Sequence, residues 1–320
     1  MKFLAKIIFS ISLVAWLIYK DRLNLNSFNI FIERPAVLGV YIFNWIIFGV
    51  FLSTFRWMIL CRALNINLKT SVMMRLYLIG CFFNISMPSV VGGDLIKAYY
   101  VSKQDANTPL STALVSVFFD RICGLIGIFI IAIISLYDPP QKQSSQLDWV
   151  IDLTGYLAAA SLFGLLVMFI IGPKINLARY PKITGLLEKF RLDKVVNAFL
   201  MFSNRKSAVM GAIGLSIFIQ LATMGLFYLA TQVLVPDVKF VQICAAYPLA
   251  AFISALPLSP AGLGTGHYAY EKLFDIAGIG GGVGANVFNF CFWANILFNL
   301  SGVIPCLSYR KTMGNVVATR

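Results

Sequence analysis

Residues 84–100 read NISMPSVVGGDLIKAYY, a proline, a glycine pair and two charges (Asp94, Lys97) set inside a long apolar region. How this stretch is read decides the fold. As part of a spanning helix it would put a breaker and two charges at bilayer depth. As the tip of a hairpin that enters and leaves on one side, it needs no crossing. The surrounding chain favours the hairpin.

Of the 320 residues, 59% are hydrophobic and 12% charged, about half the charged fraction of soluble domains. Apolar runs recur from end to end, so the expectation is one transmembrane domain over 1–320. The excess of 26 Lys and Arg over 13 Asp and Glu fits loops facing anionic lipid, not nucleic acid. The six cysteines lie in or beside apolar segments without CxxC spacing and read as small buried hydrophobes. The basic, apolar N-terminus lacks a small-residue cleavage site and runs into Trp16 and Tyr19, which suits a retained first span.

A span needs about 20 apolar residues. The runs 3–19, 36–60, 109–136, 153–172, 207–234 and about 280–308 qualify, while 71–101 and 240–275 are broken by Pro and Gly. Loop 173–206 carries eight Lys and Arg against two acids and is expected in the cytoplasm, whereas acidic loop 137–152 is expected outside. From these anchors, 71–101 enters from and returns to the cytoplasm, and 240–275 does the same from outside. The expected fold is an all-α polytopic membrane protein of about six full spans plus two re-entrant helical hairpins, with inverted pseudo-repeats at about 1–136 and 153–309. Both termini are then cytoplasmic. Inverted repeats with broken helices are characteristic of secondary transporters. The alternative is eight ordinary spans with proline kinks and no symmetry.

The two broken elements are NISMPSVVGGDLIK (84–97) and SALPLSPAGLGTGHYAYE (254–271). In each, an apolar arm of about 17 residues ends at proline, a Gly-bearing turn follows, and a shorter arm returns. Non-helical backbone at membrane depth has to be buried in protein or line a cavity. Glycine at the start of a return arm lets a ligand approach the backbone, and a helix N-terminus favours an anion. The plainer reading is that these residues only make tight loops.

Asp120 and Arg121 fall about 11 residues into the span 109–136, where each charge costs on the order of 2.5–3.5 kcal/mol without compensation. Neighbouring helical residues point about 100° apart, so the two reach different partners, either in a structural ion pair or on a substrate. Asp94 with Lys97 and His267 with Glu271 are spaced to pair locally. Arg56 and Arg75 either snorkel to the cytoplasmic interface or join Lys97 and Arg121 in a basic path for a phosphate headgroup. His267 is the chain's single histidine, so no metal site is expected. No cofactor fingerprint, Walker loop or nucleophile–base set is present, and no enzyme is expected.

The segments FNISMPSVVGGDLIKAY (83–99), FFDRICGL (118–125) and ALPLSPAGLGTGHYAYEKLF (255–274) together resemble the flippase-like membrane domain of lysylphosphatidylglycerol synthases and its stand-alone relatives. The first motif matches at Pro88, Gly92, Gly93 and Asp94, with Asn84 and Lys97 flanking. The second matches at Asp120, Arg121 and Gly124, and the third at Pro260, Gly262 and Gly264. The resemblance implies an inner-membrane protein moving a lipid between leaflets: an aminoacylated or plain anionic phospholipid, or a polyprenyl-phosphate-linked lipid of the kind tied to archaeal relatives. The sequence departs from the family pattern at Ser89, Val90 and Val91, where a basic residue is common, and at His267, where Glu is frequent. A titratable His267 allows proton coupling. These 320 residues are expected to form the membrane part alone, without the soluble transferase domain of the two-domain synthases, so lysyl transfer is not implied. The rival readings are a scaffold for a separately encoded glycosyl- or aminoacyl-transferase, and an enzyme using Asp94, Asp120 or Glu271 as base. An oligomer is compatible with either.

Overall fold

The computed structural model describes residues 35–86, 92–105, 107–133, 145–175, 185, 187, 193–256 and 264–308, and these are helical with short connections. The expected span 3–19 and the turn residues Pro88, Pro260 and Gly262 lie outside them. Among the described residues, five helices are long and apolar enough to cross a membrane. They are α1 (Pro35–Ala63), α4 (Leu110–Ala132), α5 (Ser145–Ile171), α7 (Lys206–Leu234) and α10 (Gly281–Asn299, continuing to Ser308). The shorter elements are α2 (Thr70–Ser86), α3 (Gly92–Gln104), α6 (Asp193–Ser203), α8 (Phe240–Ala255) and α9 (Thr265–Ile276).

The return arms α3 and α9 contain 13 and 12 residues. At 1.5 Å per residue each is about 20 Å long or less, too short for a hydrocarbon core of about 30 Å. α2 packs closely on α3, and α8 on α9, so both interrupted regions are helical hairpins. In the first, Gly80 and Gly93 allow the close packing of the two arms. A methyl group on Gly93 would collide with the Gly80 carbonyl and the Asn84 side chain, and one on Gly80 would enter the aliphatic stem of Lys97. The second hairpin closes onto α10 through a C-terminal turn. Gly278 takes φ +74°, Gly278 N–H donates to Asp275 O at 3.0 Å, and Ile279 N–H donates to Phe274 O at 2.9 Å. This is a Schellman closure, which favours glycine at the left-handed position.

Two hydrophobic cores form along the molecule. One gathers Trp57, Leu60, Met73, Leu76, Ile79, Ala98, Val101 and Phe119 around the first hairpin. The other gathers Tyr41, Phe227, Cys244, Tyr270, Phe274 and Phe290 around the second. The long helices thread both. Thus α4 gives Ala113–Ile126 to the first core and Ile128–Ile131 to the second, while α7 gives Val209–Ile213 to the first and Met224–Ala230 to the second. α1 runs the other way, from Tyr41 in the second core to Leu64 in the first. Each hairpin is therefore packed at its own end of a shared set of long helices.

Within α1, Trp45–Leu52 is wound as a π-helix immediately before Ser53 and Arg56, and Ser53 Oγ donates to Phe48 O at 2.7 Å. π turns recur at functional sites because they rotate the residues that follow. Here those residues point into the space between the two cores.

Candidate functional site: a charged cavity between the hairpins

Where the cores meet, α1, α3, α4, α7 and α8 enclose a cavity of about 630 Å³. Its walls are mainly apolar, and its polar lining consists of Ser53, Arg56, Asp94, Arg121, Gln220, Thr223 and Tyr247. Leu95 and Phe118 also line it, and both are largely exposed. They mark an opening edged by apolar side chains. A second, apolar hollow of about 410 Å³ lies between α4 and α5, with Leu125 and Phe252 lining both spaces.

Two ion-pair groups stand at the charged end. In the first, Arg56 Nε donates to Asp120 Oδ1 at 2.7 Å, Nη2 to Oδ2 at 2.9 Å, and Nη1 to Ser216 Oγ at 3.1 Å. The side chains of Arg56 and Asp120 are only 9% and 4% exposed. A forked, two-point contact of this kind compensates a desolvated carboxylate far better than a point charge does. The pair ties α1 to α4, and Ser216, whose own hydroxyl donates to Ala212 O at 2.9 Å, adds α7.

In the second group, Asp94 is held from two sides. Lys97 Nζ lies 2.9 Å from Oδ1, and Arg121 Nε donates to Oδ2 at 2.8 Å. Lys97 is sealed away, 5.1 Å from the Trp57 ring centre and 4.9 Å from that of Tyr77. Arg121 is different: its side chain is 47% exposed and borders the cavity. The two neighbours Asp120 and Arg121 thus reach separate partners, as their angular spacing on α4 requires.

Several sequence expectations take a different form. Arg56 does not snorkel, because the buried Asp120 on α4 captures it. Gly92 and Gly93 are buried, and Gly93 packs against Gly80 and Asn84 of the facing arm. The Gly93 N–H is already taken by Asn84 Oδ1 at 3.0 Å, so that donor is not offered to a ligand. Arg75 is exposed on α2 and outside the cavity lining. In the second hairpin, Gly264 starts α9 with φ +83°. His267 stands 3.4 Å from Asn289 and edge-on to Phe288, while Glu271 is exposed. Among the described residues, the second hairpin reaches the cavity through α8, by Tyr247, Ala251, Phe252 and Ala255. Among the described residues no three His, Cys, Asp or Glu side chains gather as a metal site.

Ser216, Gln220 and Thr223 were not singled out from the sequence. Their signal was legible, since polar residues at i, i+4 and i+7 form one stripe on an otherwise apolar span. Ser53 and Tyr247 carried no comparable signal, because single hydroxyls are common in membrane helices.

The fold and the cavity define a polytopic helical membrane protein with a compensated charge cluster facing an apolar-walled chamber. Residues 3–288 match the family described as lysylphosphatidylglycerol synthase TM region, and the chain belongs to that family. It is also similar to a UPF0104 membrane protein of Methanothermobacter thermautotrophicus, with 23% identity over 273 residues and 78% of each chain covered. No solved structure shows a significant match.

Proposed function

We propose that this protein is a lipid transporter that moves an anionic, phosphate-bearing lipid between leaflets without ATP hydrolysis of its own. The observation that carries the proposal is Arg121: a cation held at depth by Asp94, yet half exposed to a chamber whose remaining walls are largely apolar. An intramembrane ionisable group facing a cavity is the usual mark of a substrate or ion path. The adjoining apolar hollow and the apolar rim at Leu95 and Phe118 suit a lipid, whose headgroup is polar while its chains stay in hydrocarbon. Two hairpins packed at opposite ends of shared long helices support an inverted repeat that opens alternately to each side. The basic 173–206 loop supports cytoplasmic termini and residence in the inner membrane.

The experiment is translocation in proteoliposomes. A short-chain fluorescent phosphatidylglycerol in the inner leaflet is followed by quenching at the outer surface. Purified protein should accelerate its appearance, and Arg121→Gln should slow it about tenfold or more. Equal rates in empty and protein-bearing vesicles would refute the proposal.

A further inference from the structure

The charge balance of the chamber goes beyond transport of some anionic lipid. We infer that the headgroup taken here is a single phosphodiester carrying hydroxyl groups and no amine, so that the chamber rejects both aminoacylated lipids and phosphomonoesters. The inference rests on the transport reading above.

Arg56 and Asp120 form a closed, neutral pair with both carboxylate oxygens occupied. The other group contains one carboxylate, Asp94, and two cations, Lys97 and Arg121. Among the described residues the chamber therefore carries one surplus positive charge. The stretches joining the hairpin arms, 87–91 and 257–263, contain no charged residue and leave that balance unchanged. Since Lys97 is enclosed by Asp94, Trp57 and Tyr77, the surplus is presented by Arg121.

The geometry at Arg121 selects further. Its Nε–H is spent on Asp94 Oδ2, which leaves the two terminal nitrogens to donate. A guanidinium fork of this kind fits two oxygens on one phosphorus, and a phosphodiester has two non-bridging oxygens sharing one negative charge. A monoester would bring a second charge with no further cation among the described lining residues to meet it. An ammonium would need a free carboxylate, and Asp94 already has a cation on each oxygen. Gln220 and Thr223, which line the chamber from α7, are neutral hydrogen-bonding groups suited to hydroxyls. Two kinds of lipid share this chemistry: phosphatidylglycerol and a polyprenyl-phosphate-linked monosaccharide.

The test is competition for the delipidated full-length protein in detergent at pH 8. Equal amounts of phosphatidylglycerol, polyprenyl-phosphate glucose, phosphatidylethanolamine, phosphatidate and lysyl-phosphatidylglycerol are offered, and retained lipid is measured by mass spectrometry. Because one uncompensated charge at depth weakens binding by roughly tenfold or more, one or both phosphodiesters should be enriched about tenfold over phosphatidate and the lysylated lipid. Whichever is enriched identifies the source. Arg121→Gln makes the chamber neutral and should reduce that enrichment to the level of phosphatidylethanolamine. Asp94→Asn raises the surplus to two and should turn the preference toward phosphatidate; Arg121→Gln serves if that variant does not fold. Lysyl-phosphatidylglycerol retained as well as phosphatidylglycerol, or an Arg121→Gln protein with unchanged selectivity, would overturn the inference while leaving transport standing. Retention of no lipid above its proportion in the mixture would overturn both.

Discussion

Asp120→Asn is the most informative single change to the framework of the chamber. It removes the charge that holds Arg56 by two bonds of 2.7 and 2.9 Å, and leaves a guanidinium with a 9% exposed side chain facing a neutral amide. Breaking one side of a buried pair costs about 3–5 kcal/mol, most of it from the stranded charge. Arg56→Gln should cost a similar amount by stranding Asp120. The double variant Arg56→Gln, Asp120→Asn strands nothing, so it should be less destabilised than either single variant, by on the order of 2 kcal/mol. The assay is unfolding of the purified protein in mixed micelles by SDS titration, followed by tryptophan fluorescence. Single variants within about 1 kcal/mol of the wild type, or a double variant whose loss equals the sum of the two, would refute a coupled, buried pair.

Four smaller predictions use the same titration. Gly93→Ala puts a methyl group onto the Gly80 carbonyl and the Asn84 side chain, and should destabilise the first hairpin by about 1–3 kcal/mol. Ser216→Ala removes the hydroxyl that accepts from Arg56 Nη1 at 3.1 Å and should cost about 1.5–3 kcal/mol, as for hydrogen bonds to charged groups. Gly264→Ala, at φ +83° with open space around it, should lose about 1–3 kcal/mol to backbone strain. By contrast Gly282→Ala, helical, exposed and equally unobstructed, should gain about 0.4–1 kcal/mol.

The spans were legible because hydrocarbon thickness sets a minimum run of apolar residues, and all five long helices fall on runs read that way. The short arms at 92–104 and 265–276 were equally legible, since the proline and glycine clusters before them interrupt the helix and leave each arm too short to span. Partner choice was harder. Asp120 plainly needed a cation, but Arg56, 64 residues away in sequence, looked free to reach the interface. Only the packing of α1 on α4, set by the π turn at Trp45–Leu52 and by Trp57 turned inward, brings them together. The packing role of Gly93 was hidden for a related reason. A glycine needed for ligand approach and one needed for helix contact look identical in sequence, and the difference lies in Gly80 and Asn84 on the facing arm. Arg121 is the residue on which sequence and geometry agree, because a charge in mid-span beside an already compensated neighbour has to find its own partner.

On the transport reading a lipid headgroup occupies the chamber at Arg121. The most direct measurement is photolabelling with a phosphatidylglycerol analogue bearing a diazirine beside its phosphate, followed by peptide mapping. Label concentrated in peptides of α3 and α4 (residues 92–132), displaced by excess phosphatidylglycerol and lost in Arg121→Gln, is the predicted result. Label spread evenly along the helices, including the exposed face of α5 around Phe163 and Leu166, and unchanged by Arg121→Gln would contradict it.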